Sequence, residues 1–350
     1  MNEDDRLRLA FCGLHPDRVR RLVEEMGSAA AVLRGVERGS VPAPEVVCRT
    51  VAVTAARCRA RLSLLGVGAI FRGGTGYPEH LAGLPDAPDV LFVGGSLPAD
   101  PGVAIVGTRR CTRYGLRLAY AYGRAAARAG WPVISGLARG IDAQAHRGMV
   151  EEGGVGVAVL GSGPDIVYPP EHRGLLQDIR DSGGALATEY PPGIRPEGWR
   201  FPPRNRIISG LARAVVVVEA AVTGGALITA AAALEHGNAV FAVPGDVGRA
   251  SSAGCNLLIR DGAVPVLDAD DLVEALSLVL GQPQSNPDVP QPPAAGPDTT
   301  LLEAIDPAGS TPEEVVAAAD LPAPDVLAAL ARLEIAGLVR RDGPMVVVDR

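Results

Sequence analysis

Two short runs carry the groups best suited to hold an anion. Residues 201–206 read Phe-Pro-Pro-Arg-Asn-Arg and lead into IISGLARAVVVVEA, and VAIVGTR (103–109) likewise ends in a glycine and an arginine. Each adjoins a Val/Ile segment that reads as a strand buried in a parallel sheet. In open α/β sheets ligands bind outside the carboxyl ends of such strands. An arginine there is a planar, permanently charged fork suited to phosphate. The chemistry expected is therefore phosphate recognition by Arg109, Arg204 and Arg206, aided by the Gly107 and Thr108 backbone and the Thr108 hydroxyl. Phe201 offers a stacking face for a base, and Asn205 bonds a base edge or fixes the loop. Of Arg204 and Arg206, one is expected to hold the loop and one to meet ligand.

Other chemistries are weaker in the sequence. The turn after 103–107 is not G-x-G-x-x-G, because position 109 is Arg and position 112 is Thr. A standard dinucleotide site is excluded. All 33 basic residues are arginine, which excludes a Walker lysine and lysine Schiff-base chemistry. Asp142 and His146 share a helix face, but a charge favouring a helix start and a packed histidine explain them better than catalysis or a metal. Gly161-Ser162, after another strand, is either a backbone phosphate seat or a plain loop. Gly224-Gly225 precede a helix and form an anion seat. Nearby Glu219 is expected to ion-pair with a loop arginine; base chemistry on a nucleotide is its alternative role. Asn256 and Arg260 either border the crevice or close the fold.

Composition limits the class. The chain has 350 residues, 47% hydrophobic and 21% charged, as in a soluble globular protein of two or three domains. Its five cysteines are scattered without C-x-x-C, so reduced thiols in a cytoplasm are expected, with neither zinc nor disulfides. No apolar run of about 18 residues suggests a membrane span. Net charge is −7, but it is unevenly spread: residues 1–100 are neutral, 101–260 carry +5 and 261–350 carry −12. A polyanion would choose the middle and avoid the end.

The elements that must position these groups follow from periodicity. Residues 1–65 repeat apolar residues at helical spacing between Gly13, Gly27 and Gly35, giving a small helical module. Strands are predicted over 103–107, 132–135, 156–160, 214–218 and 239–243, and helices over 115–129, 140–151, 171–182 and 225–236. This alternation predicts a doubly wound sheet over 66–280. Residues 281–298 are a Pro-rich linker. In 299–350, a capping box at Thr311-Pro312-Glu313-Glu314 opens one helix. A second, about 324–336, aligns Val326, Leu327, Leu330 and Leu333 on one face. LVRR-DG-PMVVV then reads as a hairpin, and the whole suggests a winged helix.

The ordered motifs VAIVGTR..TRYG, ISGLARGIDAQAH, VAVLGSGPDIVYPPEH, TEYPPG, FPPRNRIISGLA, VVVEA, GALITAAAALEHG, VFAVPGD and GCNLLIRDGA resemble the DprA/Smf family. The match covers about 77–267, with flanking modules similar to its SAM/HhH-like helical module and its winged helix. The resemblance implies an α/β, extended Rossmann-like fold that dimerises. It implies a protein that binds single-stranded DNA without sequence preference, shields incoming strands in natural transformation and helps load RecA recombinase onto them. No catalytic residue, metal or cofactor is expected. The implied DNA pocket maps to Gly107-Thr108-Arg109 and Phe201–Arg206, with Gly161, Ser162, Gly224 and Gly225 as further candidates. Several pockets acting on one strand imply a homodimer. Thr108 stands where the family commonly has Ser, and Thr223-Gly224-Gly225-Ala226 lacks the family's basic residue. The acidic C-terminal module points to protein contact or a regulatory role. The alternative function is that of the lysine-decarboxylase-like phosphoribohydrolases, whose P-G-G-x-G-T-x-x-E pattern is not matched by VTGGALITA.

Overall fold

The Val/Ile/Ala runs assemble into one sheet because each strand buries both faces. In the computed structural model, which describes residues 2–43, 52–281, 301, 305, 310–318, 322–335, 339–342 and 345–348, the chain forms two units, 1–285 and 286–350. The first is built on nine strands: β1 (Gly68–Phe71), β2 (Val90–Gly95), β3 (Gly102–Val106), β4 (Val133–Ser135), β5 (Gly156–Val159), β6 (Ala185–Thr188), β7 (Ala212–Val217), β8 (Ala239–Ala242) and β9 (Val264–Pro265). Their order is β1-β2-β6-β5-β4-β3-β7-β8-β9. Every neighbouring pair from β6 to β9 is parallel; β2 runs antiparallel to both β1 and β6. All five strands expected from the sequence are present within a residue or two. The expectations passed over β1, β2, β6 and β9.

Side chains alternate across the sheet, so consecutive apolar residues feed two separate cores. Ala104, Val106, Val157 and Val215 pack on one side, and Val103, Ile105, Ala158 and Val216 on the other. The first core is covered by α5 (Glu79–Ala82), α9 (Phe201–Gly210), α10 (Gly225–Glu235) and α11 (Ala253–Arg260). The second is covered by α6 (Arg113–Arg128), α7 (Ile141–Glu151), α8 (Arg173–Asp181) and α12 (Ala269–Leu280). The chain winds from β3 to β6 in one direction, then returns to add β7, β8 and β9 on the far side of β3. That reversal puts the topological switch point between β3 and β7. No helix among the described residues is long and apolar enough to cross a membrane.

The N-terminal helices α1 (Glu3–Phe11), α2 (Pro16–Met26) and α3 (Ala29–Glu37) share a small core around Leu9, Val32, Leu33 and Val36. The helical region also docks onto the sheet that follows it. Leu7 and Phe11 of α1 and Cys58 and Leu62 of α4 (Ala55–Leu64) pack with Val67, Phe71 and Phe92 of the sheet edge. The Arg6 guanidinium seals this seat, 2.6 Å from the Asp89 carboxylate. Cys58, Cys111 and Cys255 are free thiols.

In the second unit the capping box forms as expected: Glu314 N donates to Thr311 Oγ1 (3.3 Å) and Thr311 N to Glu314 Oε2 (2.8 Å). It opens α13 (Pro312–Ala318), which packs with α14 (Ala323–Ile335) and an antiparallel hairpin, β10 (Val339–Asp342) with β11 (Met345–Val348). Val326, Leu330 and Leu333 are buried as expected, but Leu327 is 49% exposed and lies outside the apolar stripe. The linker segment, apart from Gly281, and Gly343 of the Asp-Gly turn lie outside the described residues.

Helices α6 and α7 cross at backbone contact. A Cβ on Gly123 would lie 2.0 Å from Ala145 O, and one on Gly148 would lie 2.1 Å from Tyr120 O. The helices would have to separate to admit a methyl group. Gly123→Ala is therefore expected to cost about 1–3 kcal/mol of stability by chemical denaturation, despite alanine's better helix propensity.

Candidate nucleic-acid interface

The crevice begins where β3 ends. A Cβ on Gly107 would sit 2.5 Å from Ile141 Cγ1, so only glycine allows the chain to turn there. Thr108 N then donates to Glu219 O (2.7 Å), which ties the loops after β3 and β7 together at the switch point. The Thr108 hydroxyl accepts from Arg110 N (3.2 Å) and rounds the turn. Thr112 caps α6, its Oγ1 accepting from Gly115 N (3.2 Å). Glu219 does not pair with an arginine as expected. Its Oε2 accepts from both N and Oγ1 of Thr112, each at 3.0 Å, and so fixes the start of α6. Arg109, Arg110 and Arg113 stand exposed with no carboxylate in ion-pairing range among the described residues.

Residues 201–206 are not a loop. They form the first turn and a half of α9, with Pro202 and Pro203 at its start. Proline suits these positions because its φ is already helical and its missing N–H would have had no helical partner. Two residues on a helix differ by about 200° in direction, so Arg204 and Arg206 point to opposite sides. Arg204 runs beneath the crevice and is 4% exposed. Its Nη1 donates to Gly136 O (2.9 Å) and to Val159 O, bridging the ends of β4 and β5. Burial pushes its pKa down to about 10, with Asp142 opposing the shift. Arg206 turns to the far side, where Nη2 donates to both oxygens of Glu189 (2.7 and 2.9 Å). Burial raises the Glu189 carboxyl, and Arg206 opposes that rise. Asn205 Nδ2 donates to Gly225 O (3.2 Å), linking α9 to α10. Both arginines and Asn205 thus serve the framework in this structure.

Phe201, at the head of α9, is half-buried, beside the exposed Pro202. Its ring lies over Gly161, where a Cβ would come within 2.8 Å of it. The Arg109 guanidinium sits 4.7 Å from the ring centroid. The Tyr168 ring, 37% exposed, is 5.8 Å away and tilted by 41°. The sequence reading did not single out Tyr168; an aromatic following the Gly-Ser-Gly turn of a strand end was its signal. Ser162 faces inward, 1% exposed, with Oγ donating to Ile166 O (2.6 Å). Gly224 begins α10 without a side-chain cap, and Gly225 has open space at its Cβ position. Asn256 bonds Gly245 N and O and closes the fold, and Arg260 pairs with its neighbour Asp261.

The floor between Arg109 and Phe201 is the turn after β4. Leu137 is fully buried with φ +55°, a left-handed conformation that costs of order 1–3 kcal/mol in a non-glycine residue. Three side chains hold it. Asp142 Oδ2 accepts from Gly136 N (3.1 Å), His172 Nδ1 donates to Leu137 O (2.8 Å), and Arg204 grips Gly136 O. Gly136 must be glycine, since a Cβ would lie 2.5 Å from the Arg204 guanidinium. Asp142 is therefore a turn anchor. His146 is fully buried, and burial pulls its pKa down to about 3. Among the described residues no group of three His, Cys, Asp or Glu side chains is placed to hold a metal.

Residues 68–277 match the family model of DNA recombination-mediator protein A, and residues 285–343 match the DprA winged helix domain. The chain belongs to the DprA/Smf family. Protein Smf of Escherichia coli K12 is 40% identical over 273 residues, which span 75% of this chain and 72% of Smf. The putative DNA processing protein DprA of Mycobacterium tuberculosis H37Rv is 43% identical over 249 residues, 70% of this chain and 64% of its own. Among solved structures, DNA processing protein A of Streptococcus pneumoniae matches with TM-score 0.63 and 32% identity, covering 76% of this chain and 95% of that one. The same protein from Helicobacter pylori, whose structure was described for its single-stranded DNA binding mode, matches with TM-score 0.54 and 25% identity over 60% of this chain and 95% of that one. Every crevice residue lies within the stretch matched to the DprA/Smf family. The winged-helix match agrees with the helix–helix–hairpin order of the second unit.

Two outcomes follow for the DprA/Smf crevice. Arg204→Met should leave Gly136 O and Val159 O without a donor and cost about 1–3 kcal/mol of stability. Any ligand affinity it loses should come without a change in salt dependence, as expected of a positioning residue. His146 binds a proton in the unfolded chain below pH 6.5 but in the folded chain only near 3. Its contribution is therefore full above pH 6.5 and is lost as pH falls toward 3, by at most about 1.4 kcal/mol per pH unit. His146→Leu should flatten denaturation-derived stability across that window.

Proposed function

We propose that this chain binds single-stranded DNA without sequence preference. On this reading it protects incoming strands in the cytoplasm and helps load RecA recombinase onto them as a homodimer, with no reaction catalysed on the strand. The observation that carries the reading is the pairing of Arg109 with Phe201. An exposed guanidinium with no carboxylate in ion-pairing range among the described residues lies 4.7 Å from a half-buried aromatic ring, at the head of a helix and at the end of a parallel strand. Phosphate neutralisation beside base stacking is the general means of holding a single strand, and neither group reads sequence. The Helicobacter pylori relative, described for its single-stranded DNA binding mode, supports the choice of ligand. The RecA, protection and homodimer parts of the proposal rest on the family resemblance.

The absence of catalysis is part of the proposal. A phosphoribohydrolase would need a carboxylate open to substrate, whereas Glu219 is buried with its Oε2 bound to Thr112, and Asp142 is buried and accepts from Gly136 N. Ser209, His236 and Asp86 form a hydrogen-bonded series, with Ser209 Oγ 3.0 Å from His236 Nδ1 and His236 Nε2 3.2 Å from Asp86 Oδ1. Ser209 has no exposed surface, so no substrate reaches it.

Fluorescence anisotropy with a labelled oligothymidylate and a duplex of equal length, over a range of salt, tests the proposal. The single strand should bind more tightly. Arg109→Gln should weaken it and reduce the slope of log affinity against log salt by about 0.7. Phe201→Ala should cost about 1–3 kcal/mol, roughly 5- to 150-fold, with little change in slope. Parent-like binding by both variants would sink the crevice assignment.

A further inference from the structure

The crevice does not end at Phe201. Strands β3, β4, β5 and β6 are parallel, so the loops that follow them share one edge of the sheet. The loops after β5 and β6 interlock there. Gly163 N donates to Ile194 O (2.8 Å), and Gly193 N donates to Asp165 Oδ1 (2.8 Å). Onto this joint reaches Arg61, from helix α4 of the N-terminal module. Its Nη2 lies 2.8 Å from the position a Cβ on Gly193 would take, and its side chain is 54% exposed. Its nearest carboxylate oxygen, Asp165 Oδ2, is 4.0 Å away, and the other oxygen of that group is held by Gly193 N. Beside it Arg195 is exposed, with no carboxylate in ion-pairing range among the described residues. Between these arginines and Arg109 stands the Tyr168–Phe201 pair. From β3 to β6 the edge spans three strand spacings, about 14 Å.

We propose that the bound strand runs from Arg109 across the Tyr168–Phe201 platform to Arg61 and Arg195. The N-terminal helices then supply part of the phosphate-binding surface and are not merely a stabilising cap. This rests on the single-strand reading of the crevice and extends it along the sheet edge. The alternation is that of a single-strand groove: cations that track the backbone, with aromatic faces between them. It also gives a function to the seat of α4 on the sheet, since Arg61 reaches the edge only because Cys58 and Leu62 dock beside Phe71 and Phe92.

The test uses the full chain and oligothymidylates of increasing length, titrated at several salt concentrations. The double variant Arg61→Gln/Arg195→Gln removes two exposed charges and leaves the packing alone. Its deficit should grow with oligonucleotide length. On long oligonucleotides its salt slope should fall by about 1.4, which is two single-strand phosphate contacts. Arg213→Gln, an exposed charge near the start of β7 at the opposite edge, should bind as the parent does. A parental slope in the double variant at every length, with Arg109→Gln still flattening it, would overturn this extension alone. Absence of binding by the parent chain would remove the crevice reading itself.

Discussion

A guanidinium buried where two parallel strands end is the constraint on which the crevice depends. β4 and β5 finish with carbonyls pointing toward a turn and not toward a neighbouring strand. Left bare beneath the surface, Gly136 O and Val159 O would each be a buried acceptor without a donor. Arg204 Nη1 reaches both. Because the charge is buried, it needs a counter-charge, and Asp142 at the start of α7 lies on the other side of the same turn. Asp142 in turn accepts from Gly136 N. Arginine, turn and aspartate close on each other, and the left-handed Leu137 is held inside that closure. A strained turn of this kind persists only where its surroundings over-determine it.

The geometry of α9 follows from that need. To deliver Arg204 to the strand ends, the helix must start at the carboxyl edge of the sheet, which leaves Phe201 at its head, half-buried over Gly161. Arg206, about 200° further round, faces the opposite side and pairs with Glu189. One helix therefore supports the crevice floor, the stacking ring and the joint behind it. Gly161 makes room for the ring, and Asn205 ties the helix to α10. The unpaired cations come from a different element, the turn after β3, where the backbone is held by Glu219 O and the Glu219 carboxylate is turned onto Thr112. Structural and surface arginines thus differ in what surrounds them, not in what they are.

That difference explains what was legible in the sequence. The five central strands could be read because strands buried on both faces show as unbroken apolar runs. The antiparallel edge could not: β1 and β2 have the composition of any short apolar segment, and their pairing is decided by docking against α1 and α4. The Phe-Pro-Pro-Arg-Asn-Arg run does lie beside a strand-end crevice, but its two prolines read equally as a turn and as the first positions of a helix. Once it is a helix, successive residues part by about 100° each, which sends Arg204 and Arg206 to opposite sides and gives each a different set of framework partners. Glu219 was misread for a related reason. A carboxylate among arginines suggests an ion pair, yet the nearest unsatisfied donors were the N–H and hydroxyl of Thr112.

Net charge misleads in the same way. A chain of net charge −7 would be expected to repel a polyanion. At physiological ionic strength charges are screened beyond about 8 Å, so an approaching phosphate responds to the loops at one sheet edge and not to the molecule's total. Residues 261–350 hold 16 acids against 4 arginines, and residues 101–260 hold 17 arginines against 12 acids. Within that central stretch, Arg124, Arg128, Arg204 and Arg206 are spent on internal partners. What remains at the carboxyl edge is Arg109, Arg110, Arg113 and Arg195, with no carboxylate in ion-pairing range among the described residues. The excess of acid in residues 261–350 therefore does not describe the local charge at this edge, where an aromatic ring stands beside a guanidinium.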